Sequence, residues 1–292
     1  MEAPKKITVL GSINMDLVTT TNYLPEVGET IVGQHFQMNP GGKGANQAVA
    51  AARLGAAVQF IGCVGNDHFG LELVQHLKRE GVDVSQLETV PSTTGTATIV
   101  VSENDNQIII VPGANQFVDA AYVESKRAII ANSQILILQL EIPNEGVQKA
   151  VEIAKENGVT IILNPAPICE LPDDLLSQVD YLTPNEHEYT MLMKGNRQNL
   201  LEKVILTKGS EGISFFDQGK EVHLPAHNVK VVDTTGAGDS FNGGFAFALS
   251  KGYLLHEACA FGNAVGALAT TKLGAQTGMP TFKEVEKLLQ KA

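Results

Sequence analysis

What most constrains this chain is an alternation, sustained over most of its 292 residues, between short β-branched runs and amphipathic stretches. Residues 7–10, 58–61, 135–140, 160–163 and 204–206 are short and apolar enough to be buried strands. Between several of them, residues 45–54, 69–79, 120–131 and 145–155 repeat apolar side chains at intervals of three and four, the spacing of a helix with one buried face. Such a pattern predicts a central, mostly parallel sheet with helices on both faces. Two segments break it. Residues 14–38 and 94–112 alternate like strands with no helix between their halves, and an Asn-Asp-Asn turn interrupts the second. They are expected to form a small antiparallel lid beside the main layer, inside a single α/β domain spanning 1–292. A final helix is expected over 282–290.

Composition removes several function classes. No apolar stretch nears the ~18 residues of a membrane span, and the N-terminus runs directly into a strand-like segment, so a cytoplasmic protein is expected. Cys63, Cys169 and Cys259, odd in number and never spaced C-x-x-C, argue against a disulfide framework or thiolate zinc site and are expected to be buried. A net charge of −11 would repel a phosphate backbone, so no nucleic-acid partner is expected. His223 and His227 are four apart, but Pro225 between them is incompatible with a helical metal pair.

The familiar phosphate-binding motifs fail. Gly42-Lys43 is followed by Gly44 where a Walker loop needs Ser or Thr, and Gly236-Ala237-Gly238 meets Phe241 where a dinucleotide fingerprint needs its third glycine. A different device remains available. Gly236, Ala237 and Gly238 precede a helix-like segment at 240–249, so their N–H groups could converge on an anion at a partly positive helix terminus. Asp239 would stand at the rim; the plainer alternative makes it a first-turn residue favoured by the dipole. A second glycine-rich start, Asn39 to Gln47, carries Lys43 and Asn46 three apart on one helical face, able to bond hydroxyls together or merely to cap. Asn14 and Asp16 share one strand face, and Glu141 ends an apolar strand at the carboxyl edge where open α/β sheets bind ligands.

Taken together, Asn14-x-Asp16, Gly41-Gly42-Lys43-Gly44-x-Asn46, Pro184-Asn185-x-x-Glu188, Thr207-Lys208-Gly209 and the run from Asp233 to Asp239 resemble the ribokinase family of ATP-dependent sugar kinases over nearly the whole chain. The resemblance implies a central α/β sheet with a β-sheet lid, usually paired into a homodimer, and transfer of the ATP γ-phosphoryl group to the terminal hydroxyl of ribose. It casts Asp239 as catalytic base and Gly236, Ala237 and Gly238 as the anion hole. It assigns Asn14, Asp16, Gly42, Lys43, Asn46 and Glu141 to the sugar, and Asn185 and Glu188 to the phosphate and Mg²⁺ region. Thr207, Lys208, Gly209, Ser210, Gly212 and Asn263 correspond to the ATP side. Asp233 and Thr235, with carbonyls of Ala269, Lys272, Gly274 and Gly278, correspond to ligands of a monovalent cation, K⁺. One departure stands out, because the connection 189–203 leaves room for only about one short helix where the family usually has a longer one. Three alternatives stay open: a family kinase acting on another sugar such as deoxyribose, fructose or another pentose; a nucleoside kinase, for which Tyr23 and Phe36 would have to wall the base; and a non-catalytic sugar-binding relative.

Overall fold

The first apolar run forms strand β1 (Ile7–Leu10), and because all its residues are buried it sits at the centre of a sheet rather than at an edge. The structure is a computed structural model that describes residues 6–102, 106–194 and 197–290. From β1 the chain passes through β2 (Asn14–Thr20) and β3 (His35–Gly41), enters helix α1 (Lys43–Arg53) and returns as β4 (Val58–Gly65), parallel to β1. Helix α2 (His68–Arg79) leads to β5 (Asp83–Val90), after which β6 (Gly95–Val101) and β7 (Asn106–Val111) leave the main layer. Helices α3 (Ala120–Ser125) and α4 (Arg127–Ala131) bring the chain back to β8 (Ile135–Leu138), on the opposite side of β1 from β4. Helix α5 (Asn144–Glu156), β9 (Thr160–Leu163), α6 (Asp173–Gln178) and β10 (Tyr181–Leu182) complete a parallel sheet of order β10-β9-β8-β1-β4-β5.

Alternation along each strand explains why both faces must be covered. Val9 and Ile137 join one apolar cluster, while their neighbours Leu10, Leu136 and Leu138 join another. Helix α5 covers the second through Val147 and Val151; α8 (Ala237–Ser250) covers the first through Phe241 and Phe245. Before α8 the chain forms α7 (Glu186–Leu192) and an antiparallel sheet of β11 (Ile205–Thr207), β12 (Ile213–Asp217) and β13 (Lys220–Leu224). Parallel bridges from Leu182 to Val204 and from Asn185 to Thr207 join that sheet to the main one. Helices α9 (Leu255–Ala269) and α10 (Phe282–Leu289) follow α8.

Several local expectations change. The strand expected over 135–140 stops at Leu138, and the one expected over 204–206 begins at Ile205. The helix expected over 120–131 is broken at Lys126, whose carbonyl accepts from Ile129 and Ile130 and so starts a second helix. Cys63 and Cys259 are buried free thiols, but Cys169 is exposed, beside Asn144. The short connection holds α7 and a 3-10 turn over Gln198–Lys203, with residues 195 and 196 outside the described set.

The two strand-like segments do form a separate four-stranded sheet, of order β3-β2-β6-β7. Pairing is antiparallel within each segment, yet β2 and β6 join in parallel. Within 14–38 the regular parts are confined to both ends, and residues 104 and 105 of the expected Asn-Asp-Asn turn lie outside the described residues.

Helices α1 and α8 cross closely because Gly243 leaves no side chain between them. A Cβ there would lie 2.5 Å from the Ala50 Cβ and 2.9 Å from the Gln47 carbonyl oxygen. Overpacking at such a site costs ~1–3 kcal/mol, more than the ~1 kcal/mol that Ala gains over Gly in a helix. Gly243→Ala is therefore expected to lower the unfolding free energy, whereas Gly238→Ala, with nothing within 4 Å of the new methyl, should not. Urea denaturation of both variants checks this; equal stability of the two would refute the contact argument.

Candidate active site

The crossing brings the N-termini of α1 and α8 together at the carboxyl edge of the main sheet. At α1, Gly42 adopts φ 87°, and a Cβ on Gly44 would lie 2.7 Å from the Ser12 nitrogen, so only glycine lets the helix start against the end of β1. The first donors of α1 are occupied. Lys43 N donates to Glu141 Oε2 at 3.1 Å, Gly44 N to Ser12 Oγ at 3.3 Å, and Ser12 Oγ donates to Glu141 Oε2 at 2.5 Å. Glu141 thus anchors the helix start as well as standing at the strand edge. At α8, Gly236 is left-handed with φ 75° and packs on Ala275. The Ala237 N–H is spent on the Thr234 carbonyl at 3.1 Å, whereas no hydrogen bond among the described residues engages the N–H groups of Gly236, Gly238 or Asp239.

Asp239 lies in the first turn of α8 and is 7% exposed. Its two carboxylate oxygens are each held by an amide from α1. Asn46 Nδ2 donates to Oδ2 at 2.9 Å, and Gln47 Nε2 donates to Oδ1 at 2.9 Å. The Asn46 side-chain carbonyl accepts from Gln276 at 2.9 Å, so both ends of the amide expected at the sugar are bonded within the protein, with a second Nδ2 hydrogen still available among the described residues. Gln47 also reaches Asn164, which donates to the Thr183 carbonyl.

In front of Asp239 opens a cavity of about 190 Å³ lined by Lys43, Asn185, Glu188, Thr207, Gly236, Gly238 and Asp239. Four further lining residues, Asn164, Ala166, Thr183 and Asn242, escaped the sequence reading. Asn164 and Thr183 each follow a strand at its carboxyl end, a position that the edge rule could have flagged. Asn185 and Glu188 form a reciprocal capping box on α7, leaving one oxygen of Glu188 uncommitted to it. Asn14 is buried and accepts from Asn115, another residue without a sequence signal.

The remaining positions form two neighbouring groups. Lys208, Gly209, Ser210 and Gly212 make the turn between β11 and β12, where a Cβ on Gly212 would strike the Leu224 carbonyl. Asn263 on α9 donates to the Pro225 carbonyl beyond β13. In the other group, Asp233 accepts from the N–H and hydroxyl of Thr235 and, at 2.8 Å, from Gly274 N. Gly278 packs on the Ala269 carbonyl so tightly that a Cβ could not fit, and Lys272 lines an adjacent cavity with Gly278.

Charge is unevenly distributed. Burial, with Glu141 and Asp239 adding to it, pushes the Asp16 carboxyl up to about 7. Glu188 is also raised, chiefly by burial. Burial opposes the charge of Lys43, but Asp239, Glu141 and Glu188 outweigh it and hold the ammonium above its usual pKa. The site therefore has one cation among several carboxyl groups. No cluster of three or more His, Cys, Asp or Glu with metal-site spacing occurs among the described residues.

Residues 4–282 match the model of the pfkB family carbohydrate kinases. The ribokinase of Bacillus subtilis is 43% identical over 293 residues, covering 98% of this chain and 99% of that protein. The deoxyribokinase of Salmonella typhi is 35% identical over 97% of this chain and 98% of that one. A solved structure of Arabidopsis thaliana ribokinase complexed with ribose and ATP matches with a TM-score of 0.91 and 32% identity, covering 99% of each chain. On the matched residues and the shared architecture, the chain belongs to the pfkB family of carbohydrate kinases.

Proposed function

We propose that this chain phosphorylates D-ribose on its terminal 5-hydroxyl, consuming ATP and releasing ADP. The observation that carries the reading is Asp239, buried at the mouth of α8 with both oxygens fixed by amides and a cavity in front of it. The ribose and ATP in the Arabidopsis relative's structure support the choice of substrates. A carboxylate so placed takes the proton of the attacking hydroxyl as that oxygen bonds the γ-phosphorus and the bond to the ADP oxygen breaks. The unengaged N–H groups at the start of α8 oppose the charge that gathers on the transferring phosphoryl oxygens. Lys43 supplies a fixed positive charge beside them. Asn14, Asp16 and Glu141 offer acceptors suited to a polyol, and Thr207 to Gly212 with Asn263 form the nucleotide side.

Glu188 and Asn185 are the residues toward Mg²⁺. With Glu188 the carboxylate of α7 that lines the cavity, and no metal-site cluster among the described residues, they fit an ion held largely through water and phosphate oxygens, which would neutralise phosphate charge. Asp233 and Thr235, with the carbonyls of Ala269, Lys272, Gly274 and Gly278, are the residues we assign to a monovalent cation such as K⁺; oxygen donors of this kind suit a hard ion, and Asp233 is tied to Thr235 and Gly274 while Gly278 packs on the Ala269 carbonyl. Exposed Phe36 and Met38 on β3 and Ile108 to Val111 on β7 support a homodimer formed through the second sheet, acting as a lid. A cytoplasmic setting agrees with the consumption of ATP. A 2-deoxyribose preference is the second reading, favoured by the 35% identity to the Salmonella deoxyribokinase.

Coupled ADP-release assays with ribose, deoxyribose, fructose and adenosine test the substrate, and ribose is expected to give the highest kcat/KM. Asp239→Asn should lower kcat by ~10²–10⁴ while ribose still binds; a variant retaining half of wild-type kcat would remove Asp239 from the role of base.

Asp16 makes a stability prediction with a definite sign. Its folded pKa of about 7 exceeds its usual 3.8, so between these values the folded state holds a proton that the unfolded chain has released. The native state is thus favoured at low pH and loses that advantage as pH rises through the window. Relative to wild type, Asp16→Asn should gain nothing below about 3.8, gain progressively up to about 7 and level off above it. Thermal melts across that range decide, a pH-independent difference being the contrary result.

Replacing potassium by sodium at constant ionic strength should slow turnover several-fold, and Asp233→Ala should erase the difference between ions. Ribose affinity without nucleotide should be unchanged. Equal rates in potassium and potassium-free buffer would return Asp233 to a purely structural role.

A further inference from the structure

A carboxylate can only accept hydrogen bonds, and this fixes the direction of every amide attached to Asp239. Because Asn46 Nδ2 must face Asp239 Oδ2, Asn46 Oδ1 faces away and needs a donor, which Gln276 Nε2 provides at 2.9 Å. Gln276 Oε1 is then an acceptor, and the His76 Nε2 that meets it at 2.7 Å must carry a proton. The other oxygen repeats the logic. Gln47 Nε2 faces Asp239 Oδ1, and Gln47 Oε1 accepts from Gln139 Nε2 at 2.7 Å. Gln276 and Gln139 are 6% and 0% exposed, so water does not readily replace them.

Gln276 is itself held in place. Its carbonyl accepts from Arg53 Nη1, which also reaches the Met279 carbonyl at 3.3 Å, and Arg53 is clamped by both oxygens of Glu80 at 2.7 and 2.8 Å. Two residues earlier, Gly274 N donates to Asp233. One loop is thereby tied at one point to Asp233 and at another, through Asn46, to Asp239.

We infer that Gln276 is a positioning residue for phosphoryl transfer: its donor to Asn46 Oδ1 anchors the far end of the amide whose near end grips Asp239, and so holds in place the carboxylate that receives the sugar's proton. The inference rests on the reading of Asp239 as that base. Without the Gln276 donor, the buried Asn46 Oδ1 loses its partner, and the amide is held in place only by Asp239 itself. Turning it round would set a carbonyl oxygen against a carboxylate.

The test exploits that polarity. Gln276 and Asp239 share no hydrogen bond with each other and are both bonded to Asn46, so the Asn46→Ala background separates coupling carried by the amide from direct repulsion between charges. Gln276→Glu, measured at pH 8, replaces a donor by an acceptor of the same shape and should lower the thermal midpoint by about 2–6 °C. In Asp239→Asn, where residue 239 can donate to a reversed Asn46, the same change should cost less than half as much. Asn46→Ala should abolish the difference. Gln276→Met, which removes the donor without adding an acceptor, repeats the cycle if the glutamate variant fails to fold, and its kcat should fall about 10- to 100-fold. Equal decrements in the Asp239 and Asp239→Asn proteins overturn the inference, as does full kcat in Gln276→Met. Failure of the base assignment is visible separately, as full turnover by Asp239→Asn alone, while the stability cycle does not depend on activity.

Discussion

One buried carboxylate gripped by two amides of another helix is the contact on which the rest of the site depends. Asp239 occupies the first turn of α8, where the unpaired N–H groups and the positive end of the helix favour its charge. Its oxygens are bonded by Asn46 and Gln47, adjacent residues in the first two turns of α1. That grip demands that two helices begin at the same place. Gly44 makes room for one against the end of β1, and Gly243 makes room for the other against α1. Two glycines thereby help decide where the carboxylate stands.

The same crossing explains why polar chemistry survives inside an apolar layer. Beneath the site lie Phe241 and Phe245, stacked at 6.0 Å, and the buried strands of the main sheet. Several polar groups that enter this layer bring partners with them: Asn164 bonds the Thr183 carbonyl, and Thr183 donates to Asn242, which donates to the Gly238 carbonyl, while the buried Ser240 hydroxyl has no partner among the described residues. Gln139 keeps one unpartnered buried oxygen among the described residues, though its nitrogen is bonded to Gln47. Rigid donors in a site shielded from water do not need to reorganise when charge develops, which suits phosphoryl transfer.

Much of this was legible in the sequence where period or glycine carried it. The strand at 7–10 and most of that at 160–163 are buried as the apolar runs imply, whereas the helix expected over 240–249 begins three residues earlier, at Ala237, and takes Asp239 into its first turn. The amides were not legible. Gln47, Gln139, Asn164 and Gln276 have no periodic signature, and Gln276 meets Asn46 across 230 positions of chain. Only the fold pairs them. Asn46 illustrates the limit from the other side, since helical spacing placed it beside Lys43 but could not foresee that its side chain faces Asp239 and Gln276. Lys126 illustrates a local limit: the 3.6-residue pattern continues through it, while the backbone changes helix there.

Because the partners of Asp239 are amides, the carboxylate is a terminus for protons. Neither Asn46 nor Gln47 can accept a proton at one end and release another at the other end near neutral pH, so no wire leads from Asp239 toward His76 or the protein's far side. On the proposed role, a proton deposited there would leave through the cavity by which it arrived. The carboxylate would then be reset from the same side on which product departs.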